Sequence, residues 1–167
     1  MEQANSRETD GSKTTLRISW ARYGELLDEL IRKIGVNRYD AVIGIAKGGL
    51  PIAVTIANKF DITMQSITIR SYSGRKKVQN PRVQPSLSNL DIHGKRVILV
   101  DDICDTGDTM IAALDWIRHF DPSEVTVAAL FVKLSSKYIP VIYVETSDRW
   151  IVFPYEVDEG EIMPPKK

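Results

Sequence analysis

Residues 97–110 constrain the fold more strongly than any other stretch, because several elements of structure follow one another within a few residues. The run Val97-Ile98-Leu99-Val100 is too short for a helix and is typical of a buried strand. Two carboxylates follow, then a polar loop at 105–109, and then apolar residues at helical spacing as far as Phe120. In an open α/β sheet, ligands bind where a strand ends and the next helix begins. The sequence therefore predicts a binding site here, where the first N–H groups of the helix attract anions.

The rest of the chain alternates between strand and helix patterns in the same way. A helix is predicted at 20–34, capped by Ser19 and ended by Gly35. Further helices are predicted at 50–60 and 106–120, and strands at 39–46, 64–70, 97–101, 125–132, 140–145 and 150–153. Strand–helix–strand units of this spacing imply parallel strands with right-handed crossovers. We therefore expect an α/β fold with a central, mostly parallel twisted sheet flanked by helices.

Composition sets limits on the class of protein. The chain of 167 residues is long enough for one domain, predicted at 15–160, with a disordered tail at 1–14 and a second tail at 161–167. A net charge of zero gives no overall basic field for nucleic acid, and one cysteine, Cys104, excludes an intrachain disulfide and favours a small core residue. No apolar run approaches the roughly 20 residues that span a bilayer. We expect a cytoplasmic protein that binds neither membrane nor nucleic acid.

The acidic pair and the loop after it indicate a sugar phosphate as ligand. Asp101 and Asp102 together suit vicinal sugar hydroxyls or Mg²⁺. The loop 105–109 offers consecutive N–H groups, two threonine hydroxyls and a glycine that permits close approach, which suits a monophosphate. It lacks the lysine followed by Ser or Thr of a nucleoside-triphosphate P-loop. The alternative is a capped strand–helix turn, which four Asp, two Thr and a Gly at one strand end make less favourable.

The connection 71–94 shows almost no apolar periodicity and carries four basic residues, Arg75, Lys76, Lys77 and Arg82. It joins two predicted strands, so it is either a β-hairpin extension or a mobile lid. Basic charge beside an acidic, phosphate-competent site favours the lid.

Residues 97–110 resemble the phosphoribosyl-diphosphate signature of the type I phosphoribosyltransferases: four aliphatics, two acids, two further residues, then Asp-Thr-Gly-x-Thr. The resemblance implies that Asp101 and Asp102 hold the ribose hydroxyls and the Mg²⁺ shell, with Asp102 as a metal ligand. It implies that the 5′-phosphate is held by the loop, Asp105, Thr106, Gly107, Asp108 and Thr109. It further implies that Asp105 accepts a proton from the attacking purine nitrogen.

Two other loops resemble parts of the same family. Ala46-Lys47-Gly48-Gly49 is similar to its diphosphate loop, which often has a non-proline cis peptide before the first glycine. Ser71-Tyr72 is similar to the dipeptide that opens the catalytic lid in 6-oxopurine members. Lys47 stands where many relatives have Arg, and Asp108 where Gly or a basic residue is common.

The base side of the predicted site resembles the 6-oxopurine enzymes. Lys133 ends an apolar strand, where a buried lysine is unusual unless paired, and the matching lysine binds the 6-oxo group. Residues 150–156 resemble a segment of the xanthine–guanine enzymes, especially the small archaeal-type ones, in a small hood over the base. There Trp150 would stack on the purine, Ile151 would offer its carbonyl, and Glu156 would bind a second Mg²⁺ or shape the purine edge.

The resemblance implies a purine phosphoribosyltransferase that uses Mg²⁺. It would transfer phosphoribosyl from phosphoribosyl diphosphate to guanine, xanthine or hypoxanthine, releasing diphosphate and a nucleoside monophosphate in purine salvage. A homodimer or homotetramer is expected. Two alternatives stay open: a regulatory protein on the same fold that binds phosphoribosyl diphosphate or a nucleotide, and an enzyme for adenine or a pyrimidine.

Overall fold

A six-stranded sheet forms the centre of the computed structural model, which describes residues 14–36, 38–73, 76–85 and 90–156. The helices are α1 (Trp20–Ile34), α2 (Gly49–Phe60) and α3 (Asp108–Arg118). The strands are β1 (Thr15–Arg17), β2 (Ala41–Ala46), β3 (Thr63–Ser73), β4 (Lys76–Pro85), β5 (Arg96–Cys104), β6 (Glu124–Val132), β7 (Ile142–Thr146) and β8 (Trp150–Val152). The strand order is β4-β3-β2-β5-β6-β7, with only the β3–β4 pair antiparallel. The predicted fold class, a mostly parallel sheet flanked by helices, is confirmed.

Two apolar layers, one on each face of the sheet, form the core. Along β5, Ile98 and Val100 point to the layer shared with α1 and α2, whereas Val97 and Leu99 point to the layer shared with α3. This alternation is the two-residue period of a strand, and all four side chains are fully buried. Because β5 is central and covered on both faces, its carboxyl end is held rigidly where the predicted site lies.

Helix α1 has the bounds that the sequence predicts. The side chain of Ser19 accepts a hydrogen bond from the backbone N–H of Arg22 at 3.2 Å. Gly35 ends the helix in a positive-φ conformation (φ 76°), and its N–H bonds to the carbonyl of Ile31. Capping chemistry and apolar spacing agree here, so local sequence was sufficient to set both ends.

Two boundaries near the site differ from the prediction. Strand β5 continues through Cys104 instead of ending at Asp101, because its outer residues still pair with Ala129, Phe131 and Val132 of β6. Helix α3 begins at Asp108, since Gly107 adopts a left-handed conformation (φ 83°). The acidic pair therefore lies within the strand, and the loop between strand and helix is shorter than expected.

The connection after β3 contains a strand and is not a structureless loop. Strand β4 pairs antiparallel with β3, so residues 76–85 belong to a β-hairpin. Of the two predicted alternatives, a hairpin extension and a mobile lid, the sequence favoured the lid. Residues 74–75 and 86–89 lie outside the described residues, as do most of the predicted tail at 1–14 and all of the tail at 161–167.

A second, two-stranded sheet was not predicted. Strand β1 pairs parallel with β8, so that Thr15 lies opposite Trp150 and Leu16 opposite Ile151. Strand β8 is therefore held by main-chain hydrogen bonds to β1 at the start of the domain. The N–H of Ile18, just after β1, donates a further hydrogen bond to the carbonyl of Val152 at 2.9 Å. The N-terminal segment thus positions the Trp150 region. None of the described helices is long and apolar enough to cross a membrane.

An ion pair at the opposite end of the sheet predicts a pH effect. Asp40 accepts hydrogen bonds from the guanidinium and the backbone N–H of Arg96, which hold its pKa at about 2. Since the folded pKa is depressed, the pair stabilises the fold above the ordinary carboxyl pKa, and this contribution disappears as pH falls towards 2. We expect Asp40→Asn to lower Tm at pH 7 by only a few degrees, because the pair is exposed. The difference should shrink as pH falls and be small at pH 2, where half of the Asp40 carboxyl is protonated in the folded protein. Thermal melts of both proteins across pH 2–7 test this; a constant difference would contradict it.

Candidate active site

The acidic pair lies side by side at the end of β5, with both residues 9% exposed. The carboxylate of Asp101 accepts the backbone N–H of Asp102 at 3.0 Å, and that of Asp102 accepts the N–H of Ile103 at 2.7 Å. Burial raises the pKa of both groups, and the charge of Asp102 raises that of Asp101 further. Two buried carboxylates held this closely are ready to bind hydroxyl donors or a cation.

The loop after β2 packs directly onto the acidic pair. A Cβ added to Gly48 would overlap the carboxylate of Asp102, and one on Gly49 would overlap the carbonyl of Val100. The Ala46–Lys47 peptide is cis, in the loop for which the resemblance implies a cis peptide. Lys47 itself is exposed. Glycine at 48 and 49 is therefore what lets the loop after β2 pack closely against the carboxyl end of β5.

The loop 105–109 forms a cradle at the start of α3, and a neighbouring loop supports it. The hydroxyl of Thr106 donates to the carboxylate of Asp108 at 3.0 Å. From the β6–β7 connection, the N–H of Lys137 donates to the carbonyl of Thr106 at 3.0 Å. A Cβ on Gly107 would lie 2.6 Å from the backbone nitrogen of Tyr138, so only glycine fits this turn. The cradle is thus held from outside by main-chain contacts.

Lys133 and Asp105 form an ion pair on the base side of the site. Their Nζ and Oδ1 atoms are 2.8 Å apart, and the Lys133 side chain is 6% exposed, against 40% for Asp105. The Nζ also lies 6.0 Å from the ring centroid of Trp150, whose side chain is largely exposed. Lys133 therefore has the partner that a buried lysine needs. That partner, Asp105, is the residue predicted to accept the proton of the purine.

The predicted residues of the cradle and Trp150 surround one cavity of about 250 Å³. Its walls are residues 101–110 and Trp150. Ile151 is buried in β8, and Ser71 and Tyr72 lie in β3, so the backbone of this dipeptide belongs to a strand and not to a loop opening. The structure therefore brings the loop 105–109, the acidic pair and the side chain of Trp150 together around one cavity.

Sequence reasoning did not assign a role to Tyr155. Its hydroxyl donates to Oδ2 of Asp102 at 2.6 Å, and its ring stacks on Phe153 with the ring centroids 5.5 Å apart. Burial and the charge of Asp102 raise the pKa of Tyr155 well above the ordinary value, so the phenol stays a donor. The signal was available in the sequence: Tyr155 immediately precedes Glu156 in the segment that carries the resemblance.

Tyr155→Phe tests this hydrogen bond. A bond to a charged group contributes about 1.5–3 kcal/mol, so for the transferase that the resemblance implies, kcat/KM for the phosphoribosyl donor should fall roughly 10- to 100-fold while the fold is kept. Tyr39→Phe is the matched control, because its buried hydroxyl has no hydrogen-bond partner in the described part of the chain. Equal kinetics for Tyr155→Phe and the control would show that the hydrogen bond does not position Asp102.

Cys104 and Asp108 are both accounted for. Burial raises the pKa of the Cys104 thiol, whose Sγ contacts the carbonyl of Tyr138 at 3.2 Å, so it is a core residue and not an activated nucleophile. The carboxylate of Asp108 lies in the first turn of α3, where a negative charge is favourable, and pairs with Lys137 at 2.7 Å.

Residues 16–160 match the family model for the phosphoribosyl transferase domain, so the chain belongs to the phosphoribosyltransferase family. The xanthine-guanine phosphoribosyltransferase of Nitratidesulfovibrio vulgaris (strain Hildenborough) is 30% identical over 129 residues, which cover 75% of this chain and 74% of that protein. The structure of a purine phosphoribosyltransferase from Pyrococcus horikoshii Ot3 superposes with a TM-score of 0.74 and 27% identity, over 86% of this chain and 95% of that one.

The relatives also include a regulator. The transcriptional regulator GfcR of Methanococcoides burtonii is 30% identical over 116 residues, which cover 68% of this chain but only 56% of that protein. The chain is therefore a member of the phosphoribosyltransferase family, and the proteins it is similar to include enzymes that are named for purine bases.

Proposed function

We propose that this protein transfers a phosphoribosyl group from phosphoribosyl diphosphate to a 6-oxopurine (guanine, xanthine or hypoxanthine), producing a nucleoside monophosphate and diphosphate. The observation that carries the proposal is the Lys133–Asp105 pair beside the phosphate cradle and below Trp150. A reaction that converts a free purine base to its nucleotide would belong to purine salvage. A cytoplasmic location and a homodimer or homotetramer stay predictions.

The pair presents one donor and one acceptor side by side. A 6-oxopurine that carries a proton on its imidazole nitrogen N7 presents the complementary edge, because the 6-carbonyl acceptor then lies next to an N–H donor. Adenine has an amino donor in place of the carbonyl, which would face the ammonium of Lys133. The order of charges in the site therefore favours guanine, xanthine or hypoxanthine, with Trp150 available to stack on the ring.

The phosphoribosyl diphosphate would lie along the other walls of the site. Asp101 and Asp102 suit the ribose hydroxyls, and the cradle at 105–109 suits the 5′-phosphate. Lys47 and Gly48 would meet the diphosphate, and Ser71 and Tyr72 would approach it from the β3–β4 hairpin, as the resemblance implies. The close packing of Gly48 on Asp102 supports a shared binding surface for ribose and diphosphate.

The oxygen donors fit the Mg²⁺ that the family implies. Among the described residues no group of three or more Asp, Glu, His or Cys could enclose a metal ion. Mg²⁺ commonly takes only one or two carboxylates and obtains its other ligands from phosphates and water. Asp102 would hold it, and Glu156 is close enough for its charge to contribute to the raised pKa of Asp102. When bound, the ion would stabilise negative charge on the diphosphate.

The side chains then divide the reaction between them. A ring nitrogen of the purine forms a bond to the anomeric carbon as the bond from that carbon to the diphosphate oxygen breaks. The proton carried by the purine's other imidazole nitrogen passes to Asp105, and Lys133 holds the 6-oxo group during the transfer. Backbone N–H groups of the loop at Lys47 and Gly48 would stabilise the negative charge of the departing diphosphate. Water must be excluded from the cation-like carbon, and the β3–β4 hairpin is the candidate cover.

The enzyme and regulator alternatives are separated by turnover. Phosphoribosyl diphosphate, Mg²⁺ and each of five bases are incubated with the protein, and nucleotide product is measured. We expect product from at least one 6-oxopurine. If no base is consumed and the protein binds RNA or DNA with strong salt dependence, the chain is a regulator like its relative GfcR and the proposal is wrong.

Lys133→Met predicts a loss of base selectivity. Without the ammonium, kcat/KM for hypoxanthine should fall roughly 10- to 100-fold, the effect of losing a hydrogen bond from a charged donor, while KM for phosphoribosyl diphosphate changes little. Lys59→Met, at an exposed position near the end of α2, is the control. An unchanged ratio of hypoxanthine to adenine turnover in Lys133→Met would exclude Lys133 as the reader of the 6-oxo group.

A further inference from the structure

Asp108 places a carboxylate inside the cradle that is proposed to bind a phosphate. It is the first residue of α3, it lines the cavity, and its side chain is 20% exposed. A phosphate that binds to the N–H groups of this turn is therefore close to a fixed negative charge. Repulsion between like charges at this depth weakens binding unless another group compensates it.

Lys137 supplies that compensation from a different part of the chain. Its Nζ lies 2.7 Å from Oδ1 of Asp108, and its backbone N–H bonds to the carbonyl of Thr106 at 3.0 Å. The remaining carboxylate oxygen, Oδ2, accepts the hydroxyl of Thr106 at 3.0 Å. The carboxylate is thus held on both oxygens, by the residue that also anchors the cradle's main chain and by the cradle's own threonine.

We propose that Lys137 is a positioning residue for the phosphate cradle, and that it acts by neutralising Asp108 and orienting its carboxylate. The inference rests on the proposed function, since it concerns the site for the 5′-phosphate. Asp108 and Lys137 thereby act as one neutral unit beside the phosphate, which binds to the N–H groups of the turn. Lys137 is what makes a carboxylate at position 108 compatible with a bound anion.

The competing explanation is that Lys137 binds the phosphate directly. The two explanations differ in a double-mutant cycle. If Lys137 acts through Asp108, replacing Lys137 weakens phosphate binding only while Asp108 keeps its carboxylate. If Lys137 contacts the phosphate directly, replacing it weakens binding by the same factor when position 108 is Asn.

The experiment measures the Kd of ribose 5-phosphate by calorimetry for the wild type, Lys137→Met, Asp108→Asn and the double variant. We expect Lys137→Met to weaken binding roughly tenfold, which corresponds to about 1.4 kcal/mol. Asp108→Asn should bind a few times more tightly than the wild type, and the double variant should return to within about threefold of it. All differences should shrink in 0.5 M salt, since the side chain of Lys137 is exposed.

Two further variants set the controls. Lys137→Arg should retain most of the affinity, because it keeps the charge next to Asp108. Lys95→Met removes an exposed pair of similar length, 2.8 Å to Asp91, outside the walls of the cavity, and should leave Kd unchanged. A fall in affinity of the same size in both backgrounds, or no fall in Lys137→Met, would overturn the proposal.

The binding readout separates this inference from the proposed function. If the cycle gives the expected pattern but no base is consumed, the transferase proposal fails and the role of Lys137 stands. If bases are consumed and the cycle is additive, the transferase proposal stands and the role of Lys137 is wrong. If wild-type protein does not bind ribose 5-phosphate at all, the cradle is not a phosphate site and the inference is overturned.

Discussion

Asp105→Asn should lower kcat for phosphoribosyl transfer by roughly 10²–10⁴-fold, the usual contribution of a positioned general base. The amide cannot accept the proton that leaves the purine, but its oxygen can still accept a hydrogen bond from Lys133, which pairs with Asp105 at 2.8 Å. The fold and the KM for phosphoribosyl diphosphate should therefore change little. Steady-state kinetics with the donor and the base varied in turn measure both parameters.

Asp115→Asn is the matched control, since Asp115 lies in α3 and pairs at the surface with Arg118. Its kinetics should equal those of the wild type. A parallel loss of turnover and of donor affinity in Asp105→Asn would assign Asp105 to binding, and no loss of kcat would remove it from the chemistry.

Gly48→Ala should be nearly as damaging, for a steric reason. Gly48 has φ −62°, which alanine adopts without strain, so the substitution isolates the overlap of the new Cβ with the carboxylate of Asp102. Relief of the overlap must shift the loop or the carboxylate, and a displacement near 1 Å costs about 10²-fold in rate. We expect kcat/KM for phosphoribosyl diphosphate to fall at least about 100-fold, and the free energy of unfolding to fall by about 1–3 kcal/mol.

Gly24→Ala provides the opposite case in the same chain. Gly24 lies within α1, and among the described residues a Cβ at this position would meet nothing within 4 Å beyond its chain neighbours and its own helix backbone. Alanine should therefore stabilise the protein by about 0.5–1 kcal/mol. Its kinetics should not change. If Gly48→Ala behaves like Gly24→Ala in both denaturation and kinetics, the diphosphate loop does not pack on the acidic pair as described.

The parts of the fold that follow local rules could be predicted from the sequence. The cap at Ser19, the stop at Gly35 and the aliphatic run at 97–100 each carry their own signal, and the structure agrees with all three. Strand β1 could not be predicted in this way, because its three residues are stabilised by pairing with β8, far along the chain. Strand β4 could not be predicted either, because its residues do not alternate between apolar and polar. Only its pairing with β3 defines it as a strand.

The candidate site shows the same division. Residue types and order at 101–109 indicated an acidic pair, a polar loop and a helix start, and these residues line one cavity. That the loop binds a phosphate stays a prediction. The partners of those residues could not be predicted, because they depend on distant loops that converge in space. Tyr155 reaches Asp102 across a sequence separation of 53, and Lys137 reaches Asp108 across 29. The contact between Lys137 and Asp108 is the basis for proposing that a carboxylate at this position is compatible with a bound phosphate.

The most direct test of the central claim is a competition between hypoxanthine and adenine for the wild-type protein in one reaction mixture with phosphoribosyl diphosphate and Mg²⁺. The donor–acceptor order of Lys133 and Asp105 predicts that kcat/KM for hypoxanthine exceeds that for adenine by roughly 100-fold or more. Equal consumption of the two bases, or a preference for adenine, would contradict the account of the site.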